Sequence, residues 1–331
     1  MFETVTNPWE VEEANFPAGA GQGVKWRFLL SYAVLAPSSH NTQPWRFTVH
    51  GDTVELHADR SRTLSFVDPE QRALVISCGA ALFHARLALW HFGYNDEVEL
   101  FPDEENPDLL ARVRMGDTRI ATAEEHQLFK AIPHRHTYRA AFEDRPVPAS
   151  VRTDLQLAAL SEGAWLNPVD DGARHAVATL IAEGAREQWH DPQFRNELAA
   201  WIHPETARDG LGGFGFGLTP LVIRSFDLGN RTASHDQRLA EDAPLLAVLG
   251  TPGDTKMDWL QAGQALARVL LLADVNDLSA SFLNQPIEVP RLRTELQTIV
   301  GRSGYPQLLL RMGTGSGAHA TPRRMVIEVV N

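Results

Sequence analysis

The apolar pattern along the chain changes period in a definite order. An apolar, helix-like run from Lys25 to Ala36 ends at Pro37, which has no N–H and biases the residue before it out of the helical region. Trp45, Phe47 and Val49 then alternate with Arg46 and Thr48. Beyond Gly51-Asp52 the alternation resumes at Val54 and Leu56, the pattern of a β-hairpin. A long apolar helix follows from about Glu70 to Gly93, then short strands at Glu97 to Phe101 and Leu110 to Met115, and a helix at Ala123 to Ala131 with Pro133 just beyond it. Residues 1 to 24 carry proline, glycine and acidic side chains without a period and read as an arm or surface loop.

A second cycle starts at HRHTYRAAF, residues 134 to 142. Val147-Pro148 leads into a helix through Leu160, Ala164 to Val169 reads as a strand, and Ala173 to Trp189 as a helix. Ala243 to Thr251 is a nearly continuous apolar run, as in a strand covered on both faces. A helix at Trp259 to Asp274 follows, then LSASFL, a helix at Val289 to Val300, the strand LLLRMG and a final strand MVIEVV. CGAALFHARLALWHFGY and AGQALARVLLLADVNDL share a glycine, an Ala-Leu pair and an apolar tail at matching offsets, which predicts a duplicated unit. An insertion at about 190 to 242 has no counterpart in the first half. Gly210, Gly212 and Gly215 within it satisfy G-x-G-x-x-G, but no strand precedes them and Pro220 spoils the following helix, so a dinucleotide fingerprint is rejected in favour of a lid or surface loop.

Length and composition narrow the classes. At 331 residues and 44% hydrophobic content the chain suits one large or two intimate domains. A net charge of −12 argues against a general nucleic-acid surface while leaving local anion sites open. The single cysteine, Cys78, lies in an apolar run and reads as a buried, inert thiol, so a reducing, cytoplasmic setting is expected. The acidic, polar start does not resemble a signal peptide. The apolar runs Ala73 to Phe92 and Trp259 to Ala273 carry histidine, arginine or glutamine and read as core helices rather than membrane spans. His134 and His136 stand two apart without a second cluster at zinc-ligand spacing, so no metal is expected.

The stretch LAPSSHNTQPWRFTV, residues 35 to 49, concentrates the candidate chemistry. Pro37, Ser38, Ser39 and Asn41 sit on a connector between two rigid elements, a good place to present donors and acceptors to a flat polar ligand. Ordinary turn composition is the competing reading, and Ser39-His40 as a nucleophile pair is disfavoured because no partner acid is implied.

With PSSHNTQPWRF, RHTYRAAF and the PRRMVIEVV tail together, the chain resembles the nitroreductase-like FMN flavoprotein superfamily. The family's PSSxNxQPW loop matches from Pro37 to Trp45, and its R-(R/H)-S-x-(R/K) motif is similar to Arg135, His136, Thr137 and Arg139, with threonine for serine. Arg323, followed by Arg324, stands at the place of a phosphate-side arginine. Pro286, Ile287 and Glu288 resemble the strand-end segment whose backbone faces flavin N5, with Val289 where glycine is common. The resemblance implies an α+β fold of two tandem copies forming an intramolecular pseudo-dimer around a mixed sheet with central long helices. The arm would span 1–24, the first repeat 25–132 and the second 133–331. It is similar above all to the Acg-like subgroup, whose insertion covers the flavin; Trp201, Phe214 and Phe216 are available here for that lid.

What the resemblance implies is one FMN per chain, NAD(P)H as electron donor, and a nitroaromatic or quinone-type acceptor. Redox chemistry would reside in flavin N5, with no catalytic side chain of the protein's own. Arginine is suited to the FMN phosphate by its fork of fixed donors. An FMN-sequestering protein with a closed lid is the alternative, and a chain that no longer binds flavin a third. The duplication implies a monomer, a weak dimer remaining open, with no nucleic-acid or membrane partner.

Overall fold

The computed structural model describes residues 7–203, 207–212, 219–315 and 317–331. In chain order the first half comprises α1 (Gln22–Ala33), β1 (Trp45–His50), β2 (Thr53–Ala58), α2 (Arg72–His91), β3 (Tyr94–Leu100), β4 (Leu109–Thr118) and α3 (Ala123–Ala131). Then come α4 (Ala149–Ser161), β5 (Trp165–Pro168), α5 (Asp171–His190), α6 (Pro192–Ala200), β6 (Ile202–His203), β7 (Leu211–Gly212), α7 (Pro220–Ser225) and α8 (Gly229–Glu241). The chain finishes with β8 (Leu245–Thr251), α9 (Lys256–Val275), β9 (Ser279–Phe282), α10 (Gln285–Glu288), α11 (Pro290–Val300), β10 (Tyr305–Gly313) and α12 (Val326–Val329). The class is α+β, as expected from the sequence.

Two four-stranded sheets carry the fold, ordered β1-β2-β4-β3 and β5-β8-β10-β9, and every pairing within them is antiparallel. A single mixed sheet was expected; instead each half closes its own sheet, and the parallel pairing among named strands is confined to the two-residue β6–β7 pair in the insertion. The strand orders correspond one to one if β1, β2, β3 and β4 are matched with β5, β8, β9 and β10. The hairpin forms where the alternation placed it: Trp45, Phe47, Val54 and Leu56 are buried while Arg46 is exposed, and Gly51 supplies the left-handed turn residue at φ 61°. All seven residues of β8 are buried, which explains its unbroken apolar run.

The two long helices are the centre. α2 and α9 are each 20 residues long, and Gly79 and Gly263 occupy the same place in each. The helices cross so closely there that a Cβ on Gly79 would lie 2.2 Å from the Leu260 carbonyl oxygen, and one on Gly263 2.0 Å from that of Ile76. α2 is long and apolar enough to cross a membrane by length and composition, but 89% of its most apolar window is buried inside the protein.

The tail departs from the sequence reading. MVIEVV is not a strand: Val326–Val329 is one helical turn, with the Met325 N–H donating to the Glu328 carboxylate at 2.6 Å. Only Val330 makes a bridge, to Phe47 at the edge of the first sheet. Local capping therefore outweighs the β-branched composition. The segment Pro286 to Glu288 is likewise helical, in α10, rather than a strand end, because Pro286 lies in its first turn and the Ile287 and Glu288 N–H groups donate back to the Asn284 carbonyl.

Candidate functional site

α1 ends at Ala33, three residues short of the Ala36 expected from the sequence; the chain turns through Val34 and Leu35, extends through Ser38 and turns tightly over Ser39–Asn41. His40, Asn41 and Gln43 hold positive φ angles of 49°, 54° and 49°. Left-handed backbone at non-glycine residues costs of order 1 kcal/mol each and persists only where surrounding contacts over-determine it. They do here. Ser38 Oγ accepts from the Gln43 N–H at 2.9 Å, and the Ser39 N–H donates to Ser77 Oγ on α2 at 3.3 Å. Asn41 Nδ2 donates to the carbonyls of Pro322, at 2.9 Å, and Gly210, while its Oδ1 accepts from Arg323 Nη1 at 2.9 Å. Gln43, fully buried, donates to the Arg208 carbonyl and accepts from the Arg324 N–H. The loop, the tail and the insertion are thus one hydrogen-bonded unit.

The arginines divide by role. Arg323 is 4% exposed and its Nη1 also donates to the Pro322 carbonyl, so much of its fork is engaged in holding the loop; its Nε has no protein partner. Trp9, from the arm, lies with its ring 4.9 Å from the Arg323 guanidinium and its indole N–H on the Thr321 carbonyl. Arg139 lies on the cleft wall, ringed by protein but open to solvent through the cleft. Arg135 is buried, 5% exposed, and His136 packs edge-on against Trp9; neither lines the cleft, and neither do Pro286, Ile287 or Arg324. Burial, with Arg135 and Arg139 beside it, pushes the Arg323 pKa well down. Burial and Arg139 likewise hold His40 neutral, its pKa at about 4.

These residues face a cleft of about 630 Å³, a volume suited to a cofactor-sized ligand. Pro37 to Asn41, Thr137, Arg139, Arg323 and Glu288 are brought together on its walls. Among the described residues four lining side chains have a buried polar atom without a protein partner: His40 Nδ1, Arg311 Nε, Arg323 Nε and Gln285 Oε1. Such atoms call for a polar ligand or water, and they fit the phosphate, hydroxyls and ring edge of a flavin nucleotide. Thr137 is anchored by a bridge to Ala280, and Arg311, donating to the Ala140 carbonyl at 2.9 Å, fixes the segment from below. Arg311 carried no sequence signal, because it lies in an apolar strand. His40 was visible in the loop yet was not assigned a site role.

Glu288 accepts from Gln188 Nε2 at 2.6 Å, and burial pushes its pKa from the ordinary 4.5 to about 7. The folded chain therefore holds a proton there that the unfolded chain releases between pH 4.5 and 7, and stability falls as pH rises through that window. Glu288→Gln is expected to remove a slope worth on the order of 1–3 kcal/mol across it, read from urea midpoints at pH 4.5 and 7.5; parallel curves for both proteins would contradict the assignment.

The insertion is tied down beside the loop. Arg62 donates to the Thr42 carbonyl and pairs with Asp209, which also bonds His203 Nδ1 at 2.7 Å. Glu197 accepts from the Phe66 and Val67 N–H groups at 2.8 and 3.0 Å. Trp201 stacks on His203 and faces the Arg62 guanidinium rather than lining the cleft. Phe214 and Phe216 lie outside the described residues. Among the described residues no three potential metal ligands converge.

No protein-family model matches the chain. Rv3131 of Mycobacterium tuberculosis, provisionally assigned as an NAD(P)H nitroreductase, is 31% identical over 313 residues, covering 92% of this chain and 90% of its own. Acg of the same organism, named in the same provisional terms, is 28% identical over 315 residues, covering 90% of this chain and 92% of its own. Among solved structures, the FMN-dependent nitroreductase NfnB of Mycobacterium smegmatis, in complex with NADPH, aligns with 62% of this chain and 97% of its own at a TM-score of 0.41 and 14% identity. The two sequence relatives place the chain among nitroreductase-like α+β proteins. It belongs to the NAD(P)H nitroreductase family that includes Rv3131 and Acg.

Proposed function

We propose that this chain binds one FMN in the cleft and is an NAD(P)H-dependent oxidoreductase acting on nitroaromatic or quinone-type acceptors. The observation that carries the reading is the convergence of the strained loop Pro37–Asn41 from the first half with Arg139 and Arg323 from the second in one cleft. Bound FMN supplies two-electron transfer between a reduced nicotinamide and the acceptor. The protein's part is to bind and orient. Arg139 offers an unengaged guanidinium fork to the phosphate, Arg323 a free Nε, and the hydroxyls of Ser38, Ser39 and Thr137 suit ribityl and ring-edge atoms.

The matching strand orders and the paired glycines of α2 and α9 support two tandem repeats, 25–132 and 133–331, joined as an intramolecular pseudo-dimer. What replaces the loop in the second half supports the reading of one site per chain. After α4, Glu162 instead accepts from Arg268 at 3.0 Å and pairs with Arg86 at 3.5 Å, so the charges there neutralise one another. We infer a monomer located in the cytoplasm, consistent with the buried free thiol Cys78.

Anaerobic stopped-flow mixing of flavin-quantified protein with NADPH or NADH tests the reading. Prompt loss of oxidised-flavin absorbance, restored by a nitroaromatic or quinone, is the expected result. One observation favours a flavin-sequestering protein instead: the insertion is fastened to the loop at Asn41 and Gln43. Flavin that dithionite reduces but neither nucleotide touches would establish that second reading and overturn the first.

A further inference from the structure

The cleft holds more unengaged positive charge than one flavin phosphate requires. On the wall contributed by the insertion, α8 turns Arg231, His235 and Arg238 toward the opening at i, i+4 and i+7, a single stripe of the helix. Among the described residues neither arginine has a hydrogen-bond or carboxylate partner. Neither acid on the cleft wall makes an ion pair with them: Asp236 accepts from Gln285 Nε2 at 2.7 Å and Glu288 from Gln188. An exposed arginine is ordinarily just hydrated. Two on one stripe of a concave wall, in a chain of net charge −12, concentrate an anion-attracting field where the rest of the surface repels anions. Beside the stripe the insertion end of the cleft is apolar, with Trp189, Phe194, Leu198 and Leu228 forming a surface on which a flat base can lie.

We propose that Arg231, His235 and Arg238 form a second, phosphate-holding subsite for the nucleotide donor, and that it selects a nucleotide bearing a ribose 2′-phosphomonoester, NADPH over NADH. The inference rests on the nucleotide-dependent reading above. A phosphomonoester dianion offers three oxygens to two guanidinium forks, whereas the diphosphate bridge common to both nucleotides gives no basis for discrimination. His235 adds a donor between the two forks. Because the stripe lies on the insertion, the selectivity belongs to a segment that the first half of the chain lacks.

Isothermal titration of the purified protein with 2′,5′-ADP and with 5′-AMP tests the subsite without turnover. 2′,5′-ADP is expected to bind roughly tenfold or more tightly, with a preference that declines as salt is raised. In R231Q/R238Q the two probes come within about twofold of each other, single R238Q falls between, and R152Q/R302Q, which removes the same charge from exposed positions outside the cleft, keeps the wild-type preference. Equal affinities in the wild-type protein overturn the proposal, as does a preference that survives in R231Q/R238Q. Loss of flavin from R231Q/R238Q in proportion to probe binding also overturns it, by assigning the stripe to the FMN phosphate. A flavin-free protein that still prefers 2′,5′-ADP keeps the subsite and sinks the flavin reading alone.

Discussion

Replacing Gly263 by alanine is expected to destabilise the chain by roughly 3–5 kcal/mol, enough to abolish most soluble yield at 37 °C. The added Cβ would sit 2.0 Å from the Ile76 carbonyl oxygen and 2.8 Å from the Gly79 Cα, so what it meets is backbone and not a side chain that could turn aside. The helices must separate, and separation of α2 from α9 opens the seam on which both sheets pack: Ala80, Leu82 and Phe83 on one side, Ala265, Leu266 and Val269 on the other, are all buried. Gly79→Ala meets the Leu260 carbonyl at 2.2 Å and should behave alike. Gly172→Ala, in the first turn of α5 with nothing within 4 Å of the new Cβ, is the control, and is expected to be neutral or stabilising by up to about 1 kcal/mol. Urea denaturation of the three variants checks this. A midpoint for Gly263→Ala within error of the control would mean that the helix crossing is far more pliant than its geometry requires.

That crossing also marks what was legible in the sequence. The glycine and the apolar tail recur in both long helices because both face the same constraint, so the internal likeness was legible where two backbones touch. The hairpin was legible because one face of β1 and β2 is buried and the other is not. The tail was not legible: Met325 to Val330 has strand composition, and only the capping contact from Glu328 and the lack of a continuous edge partner make it helical. Within the site, Ser38, Ser39, Asn41 and Arg139 came from the resemblance to the family's motifs. The partners that hold them could not, because Arg208, Gly210 and Pro322 act through main-chain carbonyls, which any residue carries. Trp9 lay in a stretch without period, and its contact with Arg323 spans almost the whole chain.

Arg139→Met is expected to move the apo and flavin-loaded proteins in opposite directions. In the apo protein Arg139 presses like charge on Arg323 and gains no partner among the described residues. Its removal should raise apo stability slightly, well under 1 kcal/mol once solvent screening in the open cleft is counted. In the loaded protein the same arginine would supply charge-assisted hydrogen bonds to a phosphate, and losing them should weaken FMN binding by about 1.5–3 kcal/mol, roughly 10–200-fold. At an FMN concentration about 100 times the wild-type Kd, the ligand stabilises the wild-type fold by about 2.7 kcal/mol; a variant binding about 50-fold more weakly keeps less than 1 kcal/mol of that. Fluorescence titration of apo-protein with FMN reads the first quantity, and thermal melts with and without FMN read the second. Arg323→Met is the contrast. Arg323 Nη1 is needed by Asn41 Oδ1 and the tail carbonyls even without ligand, so this variant should lose apo stability as well as flavin. Opposite signs for Arg139→Met and a common sign for Arg323→Met separate an arginine kept for the ligand from one that also builds the loop. An unchanged FMN affinity in Arg139→Met would remove this cleft wall from the phosphate site.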